Sequence, residues 1–238
     1  MHEYYRNNIL KLKKENEGYL RFVKAELEQN AGKPYSEVWE EIWGFYEKNL
    51  LEHFPYIGGD KVSGTKNLTG AYIFVAMGEV LKRYGVSVEG SARLMVLAYE
   101  RKYQAIPRPA RAVMRKIFSS PRLVTKMYRK KDRENTENAA KYPGSFETKT
   151  MQPPAEGCVF TYHTLVCPLS DFAKKYGYEE YMPYLCNLDY VMFGVLGVPL
   201  YRRHTCFANG DYCDFSLKSG VQPLPYWPPV FTQGKGYQ

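Results

Sequence analysis

Over the first 142 residues the apolar positions recur every three to four residues, the period of an amphipathic helix. Ile9, Leu12, Leu20, Val23 and Leu27 make a stripe on an otherwise charged segment, predicting a helix over 3–29 that Gly32 and Pro34 break. Ser36 is placed to cap a second helix running to about 51, with Val38, Ile42 and Phe45 on one face and Trp39, Trp43 and Tyr46 beside them. Gly58-Gly59 opens a loop. A third helix is expected over 68–84, turning Ile73, Val80 and Leu81 inward, with Gly85 as its stop. Ser87 caps a fourth, whose core face is Leu94, Met95, Ala98 and Tyr99. Pro109 suits the first turn of a fifth helix ending at Phe118, and Pro121 starts a basic helix that fades near Lys141.

Beyond the Pro143-Gly144 turn the period changes to two. Phe146, Thr148 and Thr150 alternate with Glu147, Lys149 and Met151, as in a strand. Pro153, Pro154 and Gly157 separate this from a second strand over 159–166. Helices are expected over 170–176 and 179–193, then strands over 198–207 and 212–218 around an Asn209-Gly210 turn. The expected fold is α+β: a helical N-terminal half packed on a C-terminal unit with a small antiparallel sheet and two helices. As regions these are 1–142, 143–220 and an irregular Pro- and aromatic-rich tail over 221–238, within one integrated domain whose tail aromatics lie over the body.

The 238 residues suffice for a full core, and 22 tyrosines suit half-wet pocket walls. Residues 101–149 hold 14 Lys and Arg against 4 Asp and Glu, more than the whole net charge of +8. Such a block suits a nucleic acid, an anionic lipid or an acidic ligand, but a solvated helix face is the simpler expectation. No helix-turn-helix or RNA-binding signature accompanies it, so nucleic acid is not the expected partner. No run reaches the ~18 apolar residues of a membrane span, and no secretory h-region is evident. Together with an odd number of cysteines, this predicts reduced thiols in the cytoplasm. Neither glycine-rich phosphate-loop pattern occurs.

The candidate chemistry concentrates in the C-terminal third. Cys186 and Asp189, three apart on a predicted helix, share a face. Cys167 ends the second strand, and strand parity puts His163 on its side. Cys213 and Asp214, adjacent on the last strand, face opposite ways. Arg203 and Thr205 share a face of the neighbouring strand, with Arg202 turned the other way. Three readings stay open. One thiol is a nucleophile activated by His163 and oriented by an aspartate. Alternatively Cys167, Cys186 and Cys213, with His163, bind zinc, although the close Cys-x-x-Cys pair is missing. In the third, the thiols are inert core residues. An arginine facing a pocket is a natural carboxylate clamp, because its fork gives paired hydrogen bonds.

In order, Cys167-Pro168, Cys186-Asn187-Leu188-Asp189, Arg203 with Thr205, Gly210 and Cys213-Asp214-Phe215 resemble the L-2-amino-thiazoline-4-carboxylic acid hydrolase family. The resemblance covers mainly residues 148–218. It departs at Ser216-Leu217, where a basic-aromatic pair is expected, and at an added-looking Cys206-Phe207. The resemblance implies a hydrolase acting on a carbon–nitrogen bond of a small cyclic amidine, with a small anionic substrate. Cys186 would be the leading nucleophile or ligand, Asp189 the acid or base, and Cys167 and Cys213 their partners. Arg203 would hold the substrate carboxylate, with Thr205 and Asp214 beside it. No cofactor is required. The Cys-Asp-Phe ending also resembles 4-vinyl-reductase-type domains, which makes a non-catalytic small-molecule or metal-binding module the alternative. Assembly as a homo-oligomer is left open.

Overall fold

The computed structural model describes residues 1–208 and 210–229. Eight helices come first: α1 (Glu3–Asn7), α2 (Ile9–Leu20), α3 (Lys24–Ala31), α4 (Tyr35–Phe45), α5 (Ser63–Lys82), α6 (Val88–Gln104), α7 (Arg108–Ser119) and α8 (Pro121–Lys141). Then follow β1 (Glu147–Thr150), β2 (Phe160–Val166), α9 (Pro168–Tyr176), α10 (Met182–Leu196), β3 (Leu200–Tyr201) and β4 (Cys213–Leu217). The strands form one antiparallel sheet in the order β1-β2-β4-β3, so the fold is α+β.

The long helix expected over 3–29 is three pieces. Asn8 donates from its side-chain amide to the Tyr4 carbonyl and ends α1, and a 3-10 turn over Arg21–Val23 separates α2 from α3. α5 starts five residues before the expected position. Gly64 reads locally as loop, but in the fold the Phe146 ring packs where its side chain would be. Ser87 caps α6 through the Gly90 amide, as expected of a serine there. α8 runs from Pro121 to Lys141, the expected span.

Most of the core lies among α2–α6 and continues into α9 and α10 through Phe172, Tyr181, Leu185 and Val191. A second cluster joins α8, α10 and the sheet through Val124, Tyr128, Phe160, Phe193 and Phe215. Residues 221–229 lie across α6 and α10. Tyr226 donates from its hydroxyl to Glu100 and accepts at its carbonyl from the Asn187 amide, while Arg93 sits over the Trp227 ring. The Asn209-Gly210 turn involves Asn209, which lies outside the described residues. No helix among the described residues is long and apolar enough to cross a membrane.

The strand expected over 198–207 is only two residues long. Beyond Tyr201 the ladder gives way to Asp214, whose carboxylate accepts from the backbone amides of Arg203 at 2.8 Å and His204 at 2.7 Å. The parity linking His163 to Cys167 fails as well. The β1–β2 register shifts here, Glu147 pairing with Val166 but Thr148 with Thr164, so the alternation is broken at Leu165 before Cys167 is reached.

α5 and α10 meet closely at Gly78, where any β-carbon would collide with the buried Tyr181 ring that leads into α10. Gly78→Ala should therefore destabilise the protein by about 1–3 kcal/mol in urea unfolding, despite alanine's better helix propensity. Unchanged or raised stability would show that Tyr181 yields freely.

Candidate active site

β2 and β4 pair with Thr164 opposite Cys213 and Tyr162 opposite Phe215. Because side chains alternate, this row faces one side of the sheet, and His163 and Asp214, opposite each other, face the other. The first row forms the floor of a cavity of about 380 Å3. α10 supplies a wall with Cys186 and Asp189, and α8 supplies Tyr128, Lys131 and Asn135. Tyr99 and Tyr103 of α6, and Cys167 between β2 and α9, complete it. The volume and mixed lining suit a small molecule.

α10 is held at both ends. Pro183 lies in its first turn, and Gly197 stops it with left-handed geometry, φ 71°. Facing it is Arg202, just past β3 and only 1% exposed. Its Nη1 donates to the Cys186 carbonyl at 3.1 Å and to Asp189 Oδ2 at 2.9 Å. Its guanidinium sits 4.0 Å above the Phe215 ring. Phe215 stacks on Tyr162 at 4.4 Å, and Tyr162 packs on Tyr128 at 4.4 Å. A buried cation thus caps a column of three rings, an attractive arrangement in a dry site.

The Cys-Asp-Phe sequence divides into three tasks. Cys213 faces the cavity, Phe215 carries Arg202, and Asp214, on the opposite face, binds the Arg203 and His204 amides. Asp214 thereby fixes the turn that delivers Arg202. Thr205 is buried and closes the next turn by accepting from the Ala208 amide.

The thiols differ in chemistry. Cys213 Sγ accepts from the Cys206 amide at 3.3 Å and lies 3.5 Å from Cys206 Sγ. The Cys213 thiol donates to Cys206 Sγ, and the Cys206 thiol donates to the Thr164 carbonyl at 3.5 Å. The hydrogen bond between the two cysteines, helped by Arg202 and the Cys206 amide, outweighs burial and brings Cys213 down to about 6. The same hydrogen bond, with burial, drives Cys206 up. Burial raises Cys167 to about 12 and Cys186 well above the ordinary thiol range. Cys213 is thus the one thiol of the group drawn toward the thiolate, while burial holds Cys167 and Cys186 protonated. Burial also raises Asp189, against the pull of Arg202 and Lys131. Its side chain is 38% accessible. The accessible part of the side chain lines the cavity. Burial lowers Lys131, opposed by Asp189 and Asp132.

Cys167, Cys186, Asp189 and Cys213 thus line one cavity. His163 does not: it stacks on Tyr212 at 4.3 Å on the other face of the sheet, and burial lowers its pKa. Arg203 is exposed and contributes its backbone amide, so the arginine facing the cavity is Arg202. Strand parity assigned these two the wrong way round because the strand had already ended. The zinc arrangement also fails: among the described residues no three His, Cys, Asp or Glu side chains are set to hold a metal ion. Lys131 and Tyr128 had gone unrecognised inside the basic block. Their signal was the spacing Val124, Tyr128, Lys131, Asn135, one face of α8 with a lysine on its apolar side.

Three thiols, a carboxylate and two cations thus gather around one cavity of small-molecule size in an α+β protein. The sequence model of the L-2-amino-thiazoline-4-carboxylic acid hydrolase family matches residues 89–217, just over half of the chain, and the protein belongs to that family. The matched span includes Lys131, Cys167, Cys186, Asp189, Arg202 and Cys213. No curated protein and no solved structure matches the chain.

Thiolate absorbance of Cys213 should titrate with a midpoint at about 6. Cys206→Ala, which removes the side-chain hydrogen bond that lowers Cys213, should move the midpoint upward, and Cys206→Ser, which keeps a hydrogen-bonding group there, should keep it low. Equal midpoints in all three proteins would rule out the Cys206 side chain as the cause.

Proposed function

We propose that the protein hydrolyses a small, carboxylate-bearing cyclic amidine of the 2-amino-thiazoline-4-carboxylate kind. The observation that carries this reading is the placement of Cys213, hydrogen-bonded to Cys206, in the cavity that also contains the Arg202–Asp189 pair. The nucleophile on this reading is Cys213 rather than Cys186, whose thiol is held protonated by burial.

Lys131 holds the substrate carboxylate, since it is the cavity cation on the wall formed by α8. Arg202 orients Asp189 and favours the thiolate. Cys213 Sγ adds to the amidinium carbon, and the ring C–S bond breaks. Asp189 gives its proton to the departing sulfur, whose electron pair leaves with it. The opened substrate is now linked through Cys213 as an isothiouronium. Water adds to the same carbon, and one of its protons restores Asp189. The Cys213–carbon bond breaks, the thiolate returns, and a proton passes to solvent as the neutral urea group forms. One water is consumed, and the product is an N-carbamoyl-cysteine. The raised carboxyl of Asp189 suits an acid that then serves as base.

Mass-spectrometric turnover of 2-amino-thiazoline-4-carboxylate provides the test. Cys213→Ala and Asp189→Asn should each lower kcat/KM by roughly 10²–10⁴-fold. Cys186→Ala and Arg203→Ala should retain most of it. The parent's kcat/KM should rise with pH as Cys213 ionises through about 6. Full activity in Cys213→Ala with loss in Cys186→Ala would transfer the nucleophile to Cys186. No product from the parent would overturn the substrate assignment, and a co-purifying small molecule would then favour a binding module.

A further inference from the structure

We propose that Cys206 and Cys213 form a peroxide-reactive pair: hydrogen peroxide oxidises the Cys213 sulfur, and Cys206 closes a reversible disulfide onto it. The pairing stands apart from the reaction proposed for the cavity, while its consequence, a blocked nucleophile, rests on that reading. All five cysteines are free, and these two have their sulfurs 3.5 Å apart. Bond formation needs a further approach of ~1.5 Å, within the reach of side-chain rotation.

Both residues are held at one place in the fold. Cys213 pairs with Thr164 across the β2–β4 ladder, and Cys206 Sγ donates to the Thr164 carbonyl at 3.5 Å. The backbone is tied on both sides of Cys206. Asp214 binds the Arg203 and His204 amides, the Ala208 amide donates to Thr205 Oγ1, and Lys174 donates to the Cys206 carbonyl at 3.0 Å. The two sulfurs therefore meet without a loop rearrangement. No other thiol among the described residues is hydrogen-bonded to Cys213.

The roles within the pair are unequal. Cys213 lines the cavity, and the Cys206 hydrogen bond and the Arg202 charge draw it toward the thiolate, the form that attacks. Cys206 is half-buried with its thiol held protonated, as suits a resolving cysteine. Cys167 and Cys186 share the cavity, but burial keeps both protonated. In the first step the Cys213 thiolate attacks one peroxide oxygen, and the O–O bond breaks. The departing hydroxide takes up the proton that Cys213 had released, leaving a sulfenic acid and one water. Cys206 Sγ then attacks Cys213 Sγ, the S–O bond breaks, and hydroxide leaves with the Cys206 proton as a second water. The two sulfurs together lose two electrons, and the two peroxide oxygens gain them. Dithiothreitol reverses the bond by thiol exchange.

Peptide mass mapping of the full chain, after hydrogen peroxide in small molar excess and alkylation of the remaining thiols, tests the proposal. Trypsin cuts after Arg203 and Lys218, so 204–218 is one peptide whose cysteines are Cys206 and Cys213. That peptide should become lighter by two hydrogens and resist alkylation, and dithiothreitol should restore it. Cys206→Ser should instead leave a sulfenic acid at Cys213 that dimedone traps, and Cys158→Ser should form the disulfide as the parent does. Turnover of 2-amino-thiazoline-4-carboxylate by the parent should fall in proportion to the disulfide and return with dithiothreitol. If the untreated parent shows no turnover, the hydrolase reading fails while the peptide mass still decides the pairing. A disulfide from Cys213 to Cys167 or Cys186, two alkylated cysteines remaining in 204–218, or a Cys213 sulfenic acid that persists in the parent would overturn the proposal.

Discussion

The Arg202 guanidinium is the contact on which the C-terminal half depends. It leaves the end of a two-residue strand, rests on Phe215 and donates to two groups of α10. A single side chain thereby sets the distance between sheet and helix, which is the width of the cavity. A buried guanidinium is costly without compensation. The compensation is the site itself: Asp189 Oδ2, the Cys186 carbonyl and the face of an aromatic column. The acidic groups around Arg202 keep it charged against the cost of burial.

That charge also sorts the thiols. Cys167, Cys186 and Cys213 line the same cavity, but only Cys213 is hydrogen-bonded to both the amide and the sulfur of Cys206. Burial dominates at the other two and keeps them protonated. Three cysteines close in space are therefore not three equivalent nucleophiles. The residue that makes the difference, Cys206, belongs to the segment that departs from the family pattern. Polarity that depends on a neighbour's thiol is sensitive to small changes in that turn, which Asp214 holds from the opposite face of the sheet.

The α8 helix serves two surfaces at once. Its inner stripe gives the cavity Tyr128, Lys131 and Asn135, while its solvent-facing sides carry exposed cations such as Arg122, Lys126 and Arg129. A net-charge count merges the two, because a desolvated lysine and a solvated one look alike in composition. Only burial separates Lys131, pulled down by desolvation, from the exposed cations beside it.

By itself the sequence determined the helical first half, the change to period two after Pro143-Gly144, the opposite facing of Cys213 and Asp214, and the helix carrying Cys186 and Asp189. These follow from local periodicity and from turn and cap residues, which act over a few residues and need no partner. Only the tertiary structure decided that Arg202 rather than Arg203 enters the cavity, that His163 stays outside it, and that Lys131 belongs to it. Each of these turns on a non-local contact. Asp214 ends a strand by binding amides 11 and 10 residues away, and α9 begins where strand parity would have continued. Periodicity predicts facing only while the element lasts, and where an element stops is set by what packs and hydrogen-bonds against it.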